Sequence, residues 1–369
     1  MAFQTGRATA ILTPRTMMSA AFAIVSALFP GSDWEAPMPQ RIIFPERGRA
    51  VLQEFDLPKM TADSVRVRTI HSLMSIGTET SILNQKYDAD THYDRIFGFP
   101  QLKTGVQALA WVEAVGASVR DFKEGDRIYM RMAHGSHQVI PEALLSPVPD
   151  VVDSRDACWC GLAKTAFRAA RAAPFDLGRQ VLIIGAGPVG QMAVRWASSA
   201  NVSSLAVSDL SAKRLSHAMR GGATHTLCGD VAGQLDEIGT MNGGAGPDIV
   251  VEATGSPAVF PSALAAAARF GKVILLGDTG FPDRQHLTSD VMTKGLTIQA
   301  THDSHDRDGW TQRRVDELFF ASLMAGRFDV SGLITHEFSP ADCAEAYALA
   351  VERRGDAMGI LFDWSQLGW

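Results

Sequence analysis

Cysteine is scarce in this chain. The four cysteines among its 369 residues (Cys158, Cys160, Cys228 and Cys343) are too few and too scattered for a disulfide framework. The Cys158-Trp159-Cys160 pair also lacks the two-residue gap of a redox or zinc motif. Positive charge is not in excess: 34 Lys and Arg stand against 40 Asp and Glu, a net charge of −6. With no basic cluster, that balance excludes a nucleic-acid-binding surface. Internal repeats and low-complexity tracts are missing too. The one long apolar run, Met17 to Phe29, follows Arg7 and Arg15 and looks like a signal-peptide core, but it is too short to cross a membrane. A nucleotide-cofactor enzyme has little reason to be exported, so residues 1–37 are expected to be an upstream extension or a tail rather than a cleaved signal. A reducing cytoplasm is the expected setting, with no membrane partner.

What is present suits a soluble two-domain globular enzyme: 46% of residues are hydrophobic and 20% charged. From Ile42 to about Gly161, short β-like runs (RAVLQEFDLP, SVRVRTI, LAWVEAVG, RIYMRM, SHQVIP) are broken by Gly, Pro and Asp, the texture of an antiparallel, barrel-like region. From Leu162 to about Ala300, six continuous apolar runs (VLIIG, SLAVSD, HTLCG, DIVVEAT, KVILLGD, LTIQAT) alternate with alanine-rich helical stretches. Such runs are what a parallel sheet buried on both faces requires. Helical periodicity then covers Arg313–Gly326 and Pro340–Arg353, and Met358–Trp364 returns as a strand. The pattern predicts an α/β protein with a doubly wound domain (162–300) inserted into a β-rich domain (38–161 and 301–369).

The most specific local signal is Gly185-Ala186-Gly187-Pro188-Val189-Gly190, a G-x-G-x-x-G directly after Val181-Leu182-Ile183-Ile184. Gly185 permits the tight turn, Gly187 lets the backbone approach a pyrophosphate, and Gly190 lets helix and strand pack closely. The phosphates would sit on the N–H groups at the positive end of the helix that begins near Pro188. Asp209 closes the next apolar run, nineteen residues past Gly190. It is placed to accept hydrogen bonds from an adenosine ribose, and it would repel a 2′-phosphate, so NAD is the expected cofactor.

This organisation resembles the medium-chain dehydrogenase/reductase family, which includes the zinc alcohol and polyol dehydrogenases. The resemblance covers about residues 38–364 and rests on SIGTET (75–80), GVQALAWVEAVG (105–116), GDRIYM (125–130), TAFRAA (165–170), GAGPVG (185–190), VEATGS (251–256) and LLGDTG (275–280). It implies a Rossmann domain within a GroES-like catalytic domain. The GTET segment and the ending LITH…MGILFDW (333–364) look most like a zinc-lacking subgroup that includes bacteriochlorophyllide dehydrogenase. Where zinc members carry C-G-T-D, this chain has Ile76-Gly77-Thr78-Glu79. Where they carry G-H-E, it has Gly105-Val106-Gln107, and a third ligand position falls on Gly161. A catalytic zinc needs three protein ligands around an open position; none is at its place here, and the cysteine-rich loop of a structural zinc is missing between Gly125 and Pro141. No zinc is expected.

The resemblance further places Thr78 where relatives keep the hydroxyl that begins a proton relay; the alternative is a turn threonine. The segment Thr301-His302-Asp303-Ser304-His305-Asp306 follows LTIQA, beyond the carboxyl end of a strand, where ligands of doubly wound sheets sit. His302 is the candidate base and His305 a weaker one; the alternative is a solvated loop whose histidines take up metal incidentally. His134 and His137 fall near the expected cleft lining, with core packing the expected role of His137. Lys164 could polarise a carbonyl, although lysine at a helix start is usually solvated. For the cofactor, the resemblance adds Arg214 beside the adenosine end, and Thr165, Thr254, Gly277 and Asp278 along the nicotinamide side. Glu252, charged within an apolar strand, is expected to be buried for structural reasons. The leading function is a zinc-independent, NAD-dependent oxidation of a secondary alcohol to a ketone. The alternatives are a reductase of an activated C=C bond or quinone, and a non-catalytic NAD(H)-binding redox sensor. Family members commonly pair through the sheet edge, so a homodimer or homotetramer is expected.

Overall fold

A computed structural model describes residues 38–368; the extension at 1–37 lies outside the described residues. Six strands form one parallel sheet in the spatial order His225–Cys228, Ser204–Asp209, Gln180–Ile184, Ile249–Glu252, Lys272–Leu275, Thr297–Ala300. This is the doubly wound dinucleotide-binding order, with the direction of winding reversing beside Gln180–Ile184. The apolar runs are continuous because both faces are covered. Val181 and Ile183 point into one buried cluster with Phe167, Trp196 and Phe319, while Leu182 and Ile184 point into another with Phe260 and Leu264. Fully burying each such side chain contributes about 1.5–3 kcal/mol.

The β-rich part contains a seven-stranded sheet in the order Ile334–Phe338, Gly359–Asp363, Ser64–Leu73, Ala108–Val115, Arg127–Met130, Leu145–Pro147, with His137–Pro141 also on Ser64–Leu73. Arg49–Glu54, Gln40–Glu46 and Leu102–Lys103 form a separate three-stranded sheet. The antiparallel texture read over 42–161 is present; outside that range Ile334–Phe338, a strand the sequence did not announce, pairs in parallel with Gly359–Asp363. A helix of ten residues, Cys343–Glu352, lies between them, which gives the chain length to cross over. The fold is α/β, a Rossmann sheet with a GroES-like β-rich part.

The helix Cys160–Ala172 links the two parts. Its face Leu162, Ala163, Ala166 and Phe167 packs on the helix Pro188–Ser199, where Trp196 Nε1 donates to the Ala163 carbonyl at 2.8 Å and its ring meets Phe167 edge-on at 5.4 Å. Its first turn reaches the β-rich part, where Tyr129 and Trp159 are fully buried. Residues at the head of this helix therefore face both halves.

Candidate active site

The glycine turn has the predicted geometry. Gly185 has φ +97°, open mainly to glycine, and a Cβ on Gly190 would collide with the Gly185 carbonyl. Gly187 caps the helix Pro188–Ser199, with Pro188 in the first turn, so the N–H groups of that turn have no helical acceptor and are available to an anion. Val189 is half-buried beside them. Asp209 ends its strand with Oδ2 accepting from Ala186 N at 2.7 Å and Oδ1 from Ser211 N at 2.8 Å. Each oxygen keeps a lone pair for a further donor. Arg214 Nη1 lies 3.7 Å from the Cβ position of Gly187. Its Nη2 donates to the carbonyls of Arg354 and Ala357, and its Nε is buried without a partner.

Across the turn, Thr254 packs its methyl 2.8 Å from the Cβ position of Gly185, and a Cβ on Gly277 would run into the backbone of Gly255 and Thr254. Glu252, fully buried, accepts from Thr254 N at 2.6 Å, Thr254 Oγ1 and Gly255 N at 3.3 Å. Burial pushes its carboxyl up while those bonds oppose the shift. It braces the turn, the structural role expected of it. Asp278 is exposed and pairs with His92 at 2.9 Å.

The positions matching the family's metal ligands carry other residues, and the structure crowds one of them. Ile76 and Gln107 are buried, Val106 is half-buried, and a Cβ on Gly161 would collide with Gln107 Oε1 and come within 2.5 Å of Tyr129 Oη and 3.3 Å of Arg131 Nη1. Gln107 Oε1 and Tyr129 Oη are both buried without partners. Of the four positions only Gln107 carries a polar side chain, and the space a third ligand would use is already filled. These residues do not fit a catalytic zinc, which needs three N, S or O donors at about 2.0–2.3 Å. Thr78 is half-buried in the helix Ile76–Leu83.

Lys164 departs from expectation. It is only 4% exposed, because Asp303 reaches in from the loop after Thr297–Ala300. Asp303 pairs with Arg131 at 2.9 Å and Lys164 at 3.5 Å, and it lies 3.5 Å from Thr165 Oγ1, which also donates to the Gly161 carbonyl at 3.0 Å. The ladder continues along the same helix: Arg168 pairs with Asp306, and Arg171 with Asp308 at 4.0 Å. Lys164, Arg168 and Arg171 fall at i, i+4 and i+7, one helix face, opposite aspartates at 303, 306 and 308. That matched charge spacing is a signal the sequence carried and our reading missed. Deeper in, Asp316 accepts from Ser146 Oγ at 2.7 Å and the Cys160 thiol at 3.2 Å.

His302 sits exposed in this loop, its Nδ1 2.7 Å from Ser304 Oγ; His305, also exposed, accepts from His302 N at 3.2 Å. His134 does not line an open cleft. It is fully buried, between Ser72 Oγ at 2.7 Å and Glu79 Oε2 at 3.1 Å. Glu79 also accepts from Ser75 N and Thr104 Oγ1, each at 2.7 Å, and from the Tyr347 hydroxyl. Burial alone would raise its pKa, but His134 and these hydrogen bonds outweigh it and hold the carboxyl below the usual range. His137 is buried beside Ser136 Oγ at 3.0 Å. Its imidazole is pushed down to about 4 by burial and by Arg68 and Arg66.

A glycine-turn cofactor sheet joined to a GroES-like β-rich part defines the fold of a dinucleotide-dependent dehydrogenase. The zinc-binding dehydrogenase family model matches residues 188–316. An L-threonine 3-dehydrogenase of Bacillus velezensis is 36% identical over 172 residues, 47% of this chain and 48% of that protein. The chain thus spans about half the length of that relative. A Vibrio parahaemolyticus L-threonine 3-dehydrogenase aligns more widely, 26% identical over 357 residues, with 87% of this chain and 97% of that one covered. Among solved structures, an Escherichia coli oxidoreductase/dehydrogenase of unknown specificity superposes with a TM-score of 0.78 at 21% identity, covering 89% of this chain and 99% of that one. The chain is thus similar to zinc-type and L-threonine dehydrogenases, and it shares the fold of the solved dehydrogenases.

Proposed function

We propose that this chain is a zinc-independent, NAD-dependent dehydrogenase that oxidises a secondary alcohol (a sugar, polyol or hydroxyalkyl group) to a ketone. One observation carries the reading: a glycine turn with a Cβ-free approach at Gly185 and Gly190 occurs in a chain whose family metal-ligand positions are Ile76, Val106, Gln107 and Gly161, the last crowded by Gln107 and Tyr129. When bound, NAD supplies the hydride acceptor. Gly185, Gly187, Pro188, Val189 and Gly190 hold the pyrophosphate, the spare lone pairs of Asp209 take the ribose hydroxyls, and Arg214 flanks the adenosine end. Thr165, Thr254, Gly277 and Asp278 border the nicotinamide side.

Without a metal, hydrogen-bonding groups must meet the developing alkoxide. Thr78 supplies a hydroxyl that accepts the substrate proton as it passes its own on, and His302 supplies the imidazole base that finally takes it. Lys164 and Arg131, held beside Thr165 by Asp303, add positive potential on that side. Likeness to the zinc-lacking subgroup, a homodimeric or homotetrameric state and a cytoplasmic setting belong to the same reading.

The test is NADH formation from NAD across polyols, cyclic sugars and hydroxyalkyl compounds, before and after exhaustive chelation. Turnover of a secondary alcohol that survives chelation supports the reading. Turnover abolished by chelation and restored by zinc would overturn its zinc-free part. Tight NADH binding with no substrate turned over would leave a redox sensor instead.

A further inference from the structure

Three side chains from separate parts of the sequence meet at the edge of the cofactor sheet. His92 opens the short helix His92–Ile96 in the Leu83–Phe99 insertion, Asp278 follows the strand Lys272–Leu275, and His302 follows Thr297–Ala300. Their donor atoms lie within 4.8 Å of one another. His92 Nε2 is already 2.9 Å from Asp278 Oδ2. The set is also braced from behind. The Tyr93 hydroxyl, on a buried ring, bonds the Asp278 carboxylate. Ser304 orders the His302 ring: its N–H donates to His302 Nδ1 at 3.2 Å, and its Oγ lies 2.7 Å from the same nitrogen. The insertion is seated independently of these side chains, because Asp88 N donates to the Gly280 carbonyl at 2.7 Å.

We propose that His92, Asp278 and His302 form a binding site for a divalent transition-metal ion of the zinc class, distinct from the family's ligand positions at 76, 106, 107 and 161. Two imidazoles and one carboxylate are a borderline donor set suited to Zn²⁺ and its neighbours rather than to Mg²⁺ or Ca²⁺. Donors about 2.1 Å from a tetrahedral ion stand about 3.4 Å apart. The His92–Asp278 pair meets that spacing with a small opening, and exposed His302, within 4.8 Å of both, closes by at most about 1.4 Å. The ion would clasp the insertion onto the carboxyl ends of two cofactor-sheet strands, and with the ion bound His302 serves as a ligand in place of its proposed role as base. Because 92, 278 and 302 are far apart along the chain, no spacing motif announces them.

Co²⁺ is the probe, because tetrahedral coordination by histidine and carboxylate gives visible ligand-field bands. Chelator-treated full-length protein is titrated with Co²⁺ and then Zn²⁺, without cofactor or substrate, so the outcome is independent of the dehydrogenase reading. We expect one Co²⁺ per chain, displaced by Zn²⁺, with a melting temperature raised by the ion. His92→Ala, at an exposed position, should fold normally and bind at least about 100-fold more weakly. Tyr93→Phe, which removes only the brace on Asp278, should bind about tenfold more weakly. No ligand-field bands, or unchanged affinity in His92→Ala, would overturn the site and mark any bound metal as incidental.

Discussion

At the dinucleotide turn, function rests on side chains that are missing; in the pocket at the head of the Cys160–Ala172 helix, it rests on side chains that crowd in. The turn is built from neighbours in sequence, a strand, six residues and a helix, because in the proposed function a phosphate is bound there by backbone. The pocket draws Gln107, Tyr129, Gly161 and Asp303 from four segments. Backbone recognition leaves a compact mark in a sequence. Side-chain convergence leaves one only when the chemistry demands rare ligands, and here the family's ligands have been exchanged for common residues.

The largest expected effect is in the β-rich half, where Glu79 serves four donors. Glu79→Ala leaves buried His134 and three other donors without their acceptor and should cost about 3–5 kcal/mol in denaturant unfolding. A loss under about 1 kcal/mol would mean that this half does not depend on its buried polar groups. Asp316 gives a pH signature. Burial pushes its carboxyl up to about 6, partly opposed by Ser146, Cys160, Lys164 and Arg131. Between about pH 4 and 6 the folded protein keeps a proton that the unfolded chain has released, so stability should fall with rising pH across that window, by roughly 3 kcal/mol. Asp316→Asn should flatten the profile; an unchanged slope would place its origin elsewhere.

On the cofactor side, Gly190→Ala drives a methyl into the Gly185 carbonyl. It should cost about 1–3 kcal/mol and weaken NADH binding at least about tenfold in a fluorescence titration. Full affinity would show that the turn tolerates a side chain after all. The smallest and sharpest test is Thr78→Val, which should keep NADH affinity and lower turnover at least about tenfold. Unchanged turnover would remove Thr78 from the chemistry.

The six parallel strands were legible because burial on both faces makes each a continuous apolar run, and Glu252 stood out as the charge that breaks one. Fewer of the polar contacts were. Lys164 looked like a solvated helix-start lysine because its partner Asp303 lies far along the chain. His134 looked like cleft lining because Glu79, its acceptor, reads locally as part of a GTET motif. The strand Ile334–Phe338 went unread because ITHEF, half-exposed and polar at its centre, makes no continuous apolar run.

The bond from Tyr347 to Glu79 joins residues 268 positions apart. During synthesis the ribosome must complete every strand of the cofactor sheet, which closes at Ala300, before that partner emerges. Glu79, Thr104 and His134 must wait with their shared site unfinished. The cofactor sheet, contiguous in sequence, can assemble while the β-rich half, begun first, is still incomplete. The β-rich half, although made before the parallel sheet, is therefore sealed after it, and a nascent chain stalled before residue 347 should present a folded parallel sheet beside a β-rich half still open to chaperones.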